Sequence, residues 1–150
     1  MERMFMTDKM RQARNDIGVT LTKEERRIAG NEIYDRLRTD ILIAQKNRGR
    51  DYITHIPERK VGKSYSLMRI AEETGHPIIV RNLDCACLMQ RDAKKHGMDI
   101  NVISIKSKSF LTDCVGYFVM LKDEGVDIVE VRDRLNEKQL CRRISVVGIN

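Results

Sequence analysis

The strongest pattern in this 150-residue chain is the stretch YITHIPERKVGKS at residues 52–64. Its aromatic and β-branched opening at 52–54 favours a β-strand. The run YSLMRIAEE, which follows at 65–73, has the composition of an amphipathic helix. Between the two lies a short loop that contains Pro57. A strand, a tight loop and a helix in this order direct backbone N–H groups at the start of the helix toward a bound anion.

Three residues at the end of this loop suit phosphate chemistry. Gly62 lets the backbone approach a ligand closely, the Lys63 ammonium neutralises phosphate charge, and the Ser64 hydroxyl is a ligand for Mg²⁺. Gly-Lys-Ser alone is a weak signal, because three common residues often occur together by chance. The alternative is an ordinary helix N-terminus with a surface lysine and a serine cap.

Residues 57–64 resemble the phosphate-binding loop of P-loop NTPases, G-x-x-x-x-G-K-[ST], with Pro57 in place of the first glycine. The loop is similar to the variant of phage terminase-like and helicase-like ATPases, in which proline and basic residues precede Gly-Lys-Ser/Thr. The residues that this resemblance assigns to ATP binding are Pro57, Arg59, Lys60, Gly62, Lys63 and Ser64. It also implies that Arg59 is an arginine finger within the same chain. Arg142 or Arg143 is the candidate for that role toward a neighbouring subunit.

An acidic pair further along the chain strengthens the resemblance. The apolar run YFVML at 117–121 suits a buried strand, and Lys122, Asp123, Glu124 and Gly125 follow it directly. The run resembles a Walker B motif, which implies that Asp123 holds Mg²⁺ with Ser64 and that Glu124 orients the attacking water. The alternative is a charged turn in which Glu124 or Asp127 caps the next helix.

Two other acidic or polar positions need an interpretation. Residues 127–133 read DIVEVRD and have acids where a strand would end, but Ile128, Val131 and Leu135 recur at helical spacing and favour a helix. The final run, ISVVGIN at 144–150, resembles the strand that follows Walker B. Asn150 then has the place of a γ-phosphate sensor, with a frayed terminus as the favoured alternative.

The whole pattern predicts an α/β fold: a three-layer α-β-α domain with a mainly parallel sheet of about five strands, preceded by an N-terminal helical segment. A capping box at 22–25 opens a helix whose apolar stripe holds Ile33, Leu37 and Ile41 with Tyr34 and Leu42. The predicted strands are 52–55, 77–81, 100–105, 116–121 and 144–149. The predicted helices are 62–74, 84–96 and 127–140, with an undefined segment at 108–115. Gly75 and Gly97 follow helix ends, where left-handed residues close a helix. The predicted division is a helical arm at 1–50 and a P-loop NTPase-like domain at 51–150.

Composition and charge restrict the kind of protein but do not select one function. The net charge is +6 and the pI is near 9.3, which fits nucleic acid, a nucleotide or an acidic protein as partner, or only solvated helix faces. Without an apolar run of about 18 residues or a signal-peptide stretch, we expect a cytoplasmic protein with no membrane partner. The four cysteines are expected to be free thiols, since the spacing of Cys85 and Cys87 is poor for zinc.

The leading hypothesis is therefore a Mg²⁺-dependent ATP-binding and ATP-hydrolysing module of phage or mobile-element type, acting with DNA or a nucleoprotein complex and with oligomerisation open. The rival is a non-catalytic binding protein on a degenerate P-loop scaffold, such as a phage-encoded inhibitor of a host defence complex. Pro57 and Lys122 favour this rival because each alters the ATPase pattern. A small-molecule kinase is disfavoured, because no arginine-rich lid is present.

Overall fold

The computed structural model describes residues 22–57 and 62–150. Its elements are α1 (Lys23–Lys46), β1 (Tyr52–Thr54), α2 (Lys63–Thr74), β2 (Ile78–Val80), α3 (Leu83–Lys95), β3 (Val102–Ser104), α4 (Phe110–Cys114), β4 (Val119–Lys122), α5 (Ile128–Asn136), a 3-10 turn (Gln139–Cys141) and β5 (Ser145–Ile149). Each predicted strand and helix corresponds to an observed element, and the undefined segment at 108–115 contains α4. The strand predicted at 116–121 begins only at Val119, and Phe118, expected in a buried strand, is 55% exposed. The predicted helix at 127–140 is divided into α5 and the 3-10 turn. Within the described ranges, no helix is long and apolar enough to cross a membrane.

The long helix α1 begins at the predicted capping box. The Thr22 hydroxyl accepts a hydrogen bond from the Glu25 amide at 3.1 Å, and the Glu25 carboxylate accepts one from the Thr22 amide at 3.2 Å. Ile33, Leu37 and Ile41 are buried, as predicted. The prediction was wrong for Leu42, which is 59% exposed because it lies one residue beyond the apolar stripe.

The five strands form one parallel sheet in the order β1-β5-β4-β2-β3. All residues of β2, β3, β4 and β5 are buried. Parallel strands covered on both faces are apolar nearly throughout, which explains the continuous runs at 78–80 and 119–121. The predicted three-layer α/β architecture is therefore observed.

The helices divide between the two faces of the sheet according to the direction of each crossover. The chain moves one way along the sheet from β1 to β3 and returns from β3 to β5, so right-handed connections place α2 and α3 on one face and α4 and α5 on the other. Two separate clusters of buried residues confirm this division.

Helix α1 packs on the same face as α2 and α3. Its buried apolar residues belong to the cluster that includes Leu67 of α2 and Val147 of β5. The boundary expected at residue 50 thus falls between two elements that share one core.

Candidate functional site

The carboxyl ends of β4 and β2 lie beside each other and lead to helices on opposite faces of the sheet. Such a divergence opens a crevice beyond the strand ends, where ligands of open parallel sheets bind. Asp123 and Glu124 follow β4 directly and so lie at this crevice. The first turn of α2 also reaches it, because its side chains contact both carboxylates.

Gly62, the N-cap residue of α2, has a conformation that few other residues adopt. Its φ is 78° and its ψ is 28°, in the left-handed region, and it provides no side-chain cap. The first amides of a helix have no intrahelical acceptor, so a start of this kind leaves them available to a bound anion.

Lys63, the first residue of α2, is brought to the acidic turn. Its Nζ donates to Oε2 of Glu124 at 2.7 Å and to the carbonyl of Ile56 at 3.2 Å. The Lys63 side chain is 10% exposed and that of Glu124 is 44% exposed. The ammonium is therefore held in a mostly buried position, facing a carboxylate that remains open to solvent on one side.

Ser64 faces the second carboxylate. Its hydroxyl donates to Oδ1 of Asp123 at 3.5 Å, the long limit of a hydrogen bond. Burial raises the pKa of Asp123, while hydrogen bonds from the Glu124 backbone and the Ser64 hydroxyl act in the opposite direction. The Asp123 amide donates to the Ile79 carbonyl of β2 at 3.1 Å, which fixes the start of the acidic turn. A hydroxyl and a carboxylate in this arrangement are the hard oxygen ligands that Mg²⁺ prefers.

Three further loop residues, Pro57, Arg59 and Lys60, were expected to bind ATP, and the structure describes only the first. Pro57 is exposed after β1. Arg59 and Lys60, proposed as the arginine finger and a phosphate contact, lie outside the described residues.

Lys122 has a role that the sequence did not reveal. The residue is fully buried, and its Nζ donates to the carbonyls of Asp123 at 2.9 Å, Val126 at 2.6 Å and Ile149 at 2.7 Å. The ammonium thus joins the acidic turn to the carboxyl end of β5. Burial lowers the pKa of Lys122 to about 8.

Lys122, which alters the ATPase pattern in the sequence, thus supports with its side chain the turn that carries Asp123 and Glu124. One sequence signal could have indicated this contact. Gly148 interrupts the apolar run of β5, and glycine within a strand often marks a close approach of another group. A Cβ at Gly148 would lie 2.4 Å from the Lys122 carbonyl oxygen.

The other candidate residues, Asn150, Arg142 and Arg143, lie at different ends of the sheet. The Asn150 amide donates to the Thr54 carbonyl at 2.9 Å, and its carbonyl accepts from the Ile56 amide at 3.3 Å, so the favoured interpretation of a frayed end is wrong. Arg142 and Arg143 precede β5 and therefore lie at the amino ends of the strands, whereas the crevice lies at the carboxyl ends. This placement separates them from their own acidic pair.

Asp127 is the N-cap of α5, where its carboxylate accepts from the Val129 amide at 2.8 Å. The helical interpretation of residues 127–133 is thus confirmed. The four cysteines are free thiols, as predicted. In the part of the chain that the structure describes, no group of three or more His, Cys, Asp or Glu side chains forms a metal site.

No protein-family model matches the chain, and no curated protein or solved structure is significantly similar to it.

Proposed function

We propose that this chain binds ATP with Mg²⁺ at the carboxyl end of the sheet and hydrolyses it. The observation that carries the proposal is the pair of contacts between the start of α2 and the turn after β4: Lys63 with Glu124, and Ser64 with Asp123. Two motifs far apart in sequence, each resembling one half of a P-loop ATPase site, thus meet in space.

Side chains of different charge have different roles in the proposed site. Lys63 and the first amides of α2 bind the phosphates, while Ser64 and Asp123 hold Mg²⁺, which neutralises charge on the phosphates when it is bound. Arg59 as the arginine finger and Lys60 as a phosphate contact, the roles that the resemblance implies, complete the proposed site.

Glu124 changes partner when ATP binds. In the structure its carboxylate forms an ion pair with Lys63 at 2.7 Å. Phosphate oxygens take over Lys63, which frees the Glu124 carboxylate to accept a hydrogen bond from the attacking water. The ion pair therefore keeps the site balanced in charge before the nucleotide arrives.

The proposal also includes a partner, a cellular location and an oligomeric state. The net charge of +6 supports DNA or a nucleoprotein complex as the partner. A cytoplasmic location and assembly into oligomers, with Arg142 or Arg143 acting on a neighbouring site, complete it.

Calorimetry with Mg-ATP tests the binding step. We expect wild-type affinity in the micromolar range and a loss of at least about 100-fold in Lys63→Ala, because a buried charge-assisted contact to phosphate is removed. Lys94→Ala, which removes an exposed lysine from α3, is the matched control and should bind as the wild type does.

Asp123→Ala separates the metal from the nucleotide. It should remove most of the Mg²⁺ dependence of ATP affinity while circular dichroism shows a folded chain. Failure of the folded wild type to bind millimolar Mg-ATP would refute the proposal. Tight binding without any turnover would instead support the non-catalytic scaffold.

A further inference from the structure

A cleft of about 280 Å³ lies between the first half of α1 and the start of α2. Four cations line it: Lys23, Arg26 and Arg27 from α1, and Arg69 from α2. No acidic side chain lines the cleft within the described ranges. The cleft lies between two helices and is not the crevice at the ends of β4 and β2.

Helical spacing explains why these residues share one cleft. Lys23, Arg26 and Arg27 are three and four positions apart, followed by Gly30 on the same face of α1. The corresponding stripe of α2 runs from Gly62 to Arg69. Residues 23–31 of α1 extend roughly 12 Å along the helix axis, which gives the cleft an elongated form.

The backbones of Gly30 in α1 and Gly62 before α2 lie close together in the cleft. The Ser66 hydroxyl of α2 donates to the Gly30 carbonyl of α1 at 3.1 Å. A Cβ at Gly62 would lie 3.9 Å from the Cα of Gly30. Glycine backbone thus lines the cleft together with the charged side chains.

Two carboxylates near the cleft, Glu24 and Glu73, each contact a neighbouring side chain. Glu24 pairs with Arg27 at 2.5 Å on the exposed side of α1. Glu73 accepts a hydrogen bond from Tyr34 at the far end, where the Arg69 guanidinium lies 4.0 Å from the centre of the Tyr34 ring. This stacking fixes Arg69 without neutralising its charge.

An aromatic side chain accompanies the cations. Tyr65 lines the cleft, is 42% exposed, and lies 5.1 Å from the His96 ring, measured between ring centroids. Exposed aromatic rings beside a basic groove are the features on which single-stranded nucleic acid stacks its bases while the cations follow its backbone. An acidic peptide has the charge for this cleft but no base to stack on Tyr65.

From these contacts we infer that the cleft between α1 and α2 binds single-stranded nucleic acid, with its phosphates on Lys23, Arg26 and Arg69 and a base on Tyr65. The inference deepens the proposed function by giving its nucleic-acid partner a site. Gly62 belongs to both the cleft and the start of α2, so the strand would lie next to the bound nucleotide.

The test is fluorescence anisotropy of a labelled oligothymidylate with the full chain, measured across a salt series, with and without Mg-ATP. The variant R26A/R69A removes one cation from each wall. We expect at least tenfold weaker binding, and a slope of log affinity against log salt that is smaller by about 1.4, since each lost phosphate contact removes roughly 0.7. K23A/R26A, which changes only α1, should weaken binding in the same direction.

R91A/K94A on α3 is the matched control, because it removes the same charge from two exposed residues that do not line the cleft. Tyr65→Ala should lose about tenfold in affinity, whereas Tyr65→Phe should retain it. An equal loss in R91A/K94A would overturn the inference, as would polyglutamate that binds as tightly as the oligonucleotide.

The two proposals fail separately. A chain that binds the oligonucleotide in the cleft but never binds Mg-ATP retains this inference and loses the proposed ATPase. A chain that binds Mg-ATP but not the oligonucleotide loses only the cleft.

Discussion

At the scale of single residues, Lys63 and Glu124 carry the proposed chemistry through one ion pair. The two side chains lie 2.7 Å apart and differ in exposure, so Lys63 is held while Glu124 can move. This arrangement gives the two residues different expected effects on binding and on turnover.

We predict that Glu124→Gln retains ATP affinity and lowers turnover by about 100- to 1,000-fold. The amide cannot act as a base toward water, which is where a positioned carboxylate contributes most. Loss of its negative charge also removes a competitor for Lys63, so affinity should stay equal or increase. Calorimetry and phosphate release measure the two quantities, and unchanged turnover would exclude Glu124 from the reaction.

Lys122 is a second residue at which burial changes protonation. Its folded pKa, about 8, lies below the ordinary value of 10.5, so the folded chain loses this proton at lower pH than the unfolded chain does. Between these two pH values the unfolded chain binds more protons. The sign of the linkage is therefore that stability increases as pH rises through this window.

We predict that the Lys122 contribution adds up to about 3 kcal/mol to the free energy of unfolding between pH 8 and 10.5. Lys122→Met should lack this increase and should be less stable at neutral pH, because three carbonyls lose their donor. Burial also raises the pKa of Cys114 to about 12, which lowers stability as the unfolded thiol ionises. The difference between wild type and variant in urea titrations isolates Lys122, and parallel pH profiles would contradict the prediction.

At the scale of secondary-structure elements, the pairing of β4 with β5 positions the acidic turn. Gly148 lies opposite Lys122 in this parallel pair. A methyl group at Gly148 would meet the Lys122 carbonyl oxygen at 2.4 Å and its Cβ at 2.7 Å, distances that require the strands to separate. The close approach of Gly148 to Lys122 therefore fixes the position of the end of β4, and with it Asp123, relative to β5.

We predict that Gly148→Ala destabilises the fold by about 2 to 3 kcal/mol, the usual cost of overpacking where backbone must move. Urea denaturation measures the change. Gly125→Ala is the control, because no atom lies within 4 Å of the added methyl group. Equal stabilities for the two variants would mean that β4 and β5 separate freely.

At the scale of the whole molecule, α1 is part of the only core that covers its face of the described sheet. Ile33, Leu37 and Ile41 are each at most 3% exposed. Burying three such side chains contributes roughly 5 to 9 kcal/mol, which is comparable with the total stability of an ordinary domain. Asp51, which directly follows the predicted boundary at residue 50, forms an ion pair with Arg132 of α5.

We predict that a chain of residues 51–150 does not fold cooperatively, whereas residues 22–150 do. The shorter chain lacks α1 and exposes the apolar face of β5 and α2, while the longer one keeps every element described above. Circular dichroism during thermal unfolding distinguishes them. A sharp transition for residues 51–150 would establish an independent domain that begins after residue 50.

Much of the local structure followed from the sequence alone. The capping box at Thr22 and the apolar runs before Asp123 predicted their elements, because caps and periodicity act between residues close in the chain. The same local chemistry indicated Gly62, Lys63, Ser64, Asp123 and Glu124 as candidate site residues.

Which of these residues meet, and what surrounds them, depends on contacts made in the folded chain. The order of the strands brings α2 to the end of β4, and the packing of β5 gives the Lys122 ammonium its three carbonyls. The same packing places α1 in the core and leaves Leu42 outside it. These outcomes depend on contacts between residues far apart in the chain, for which local pattern carries no information.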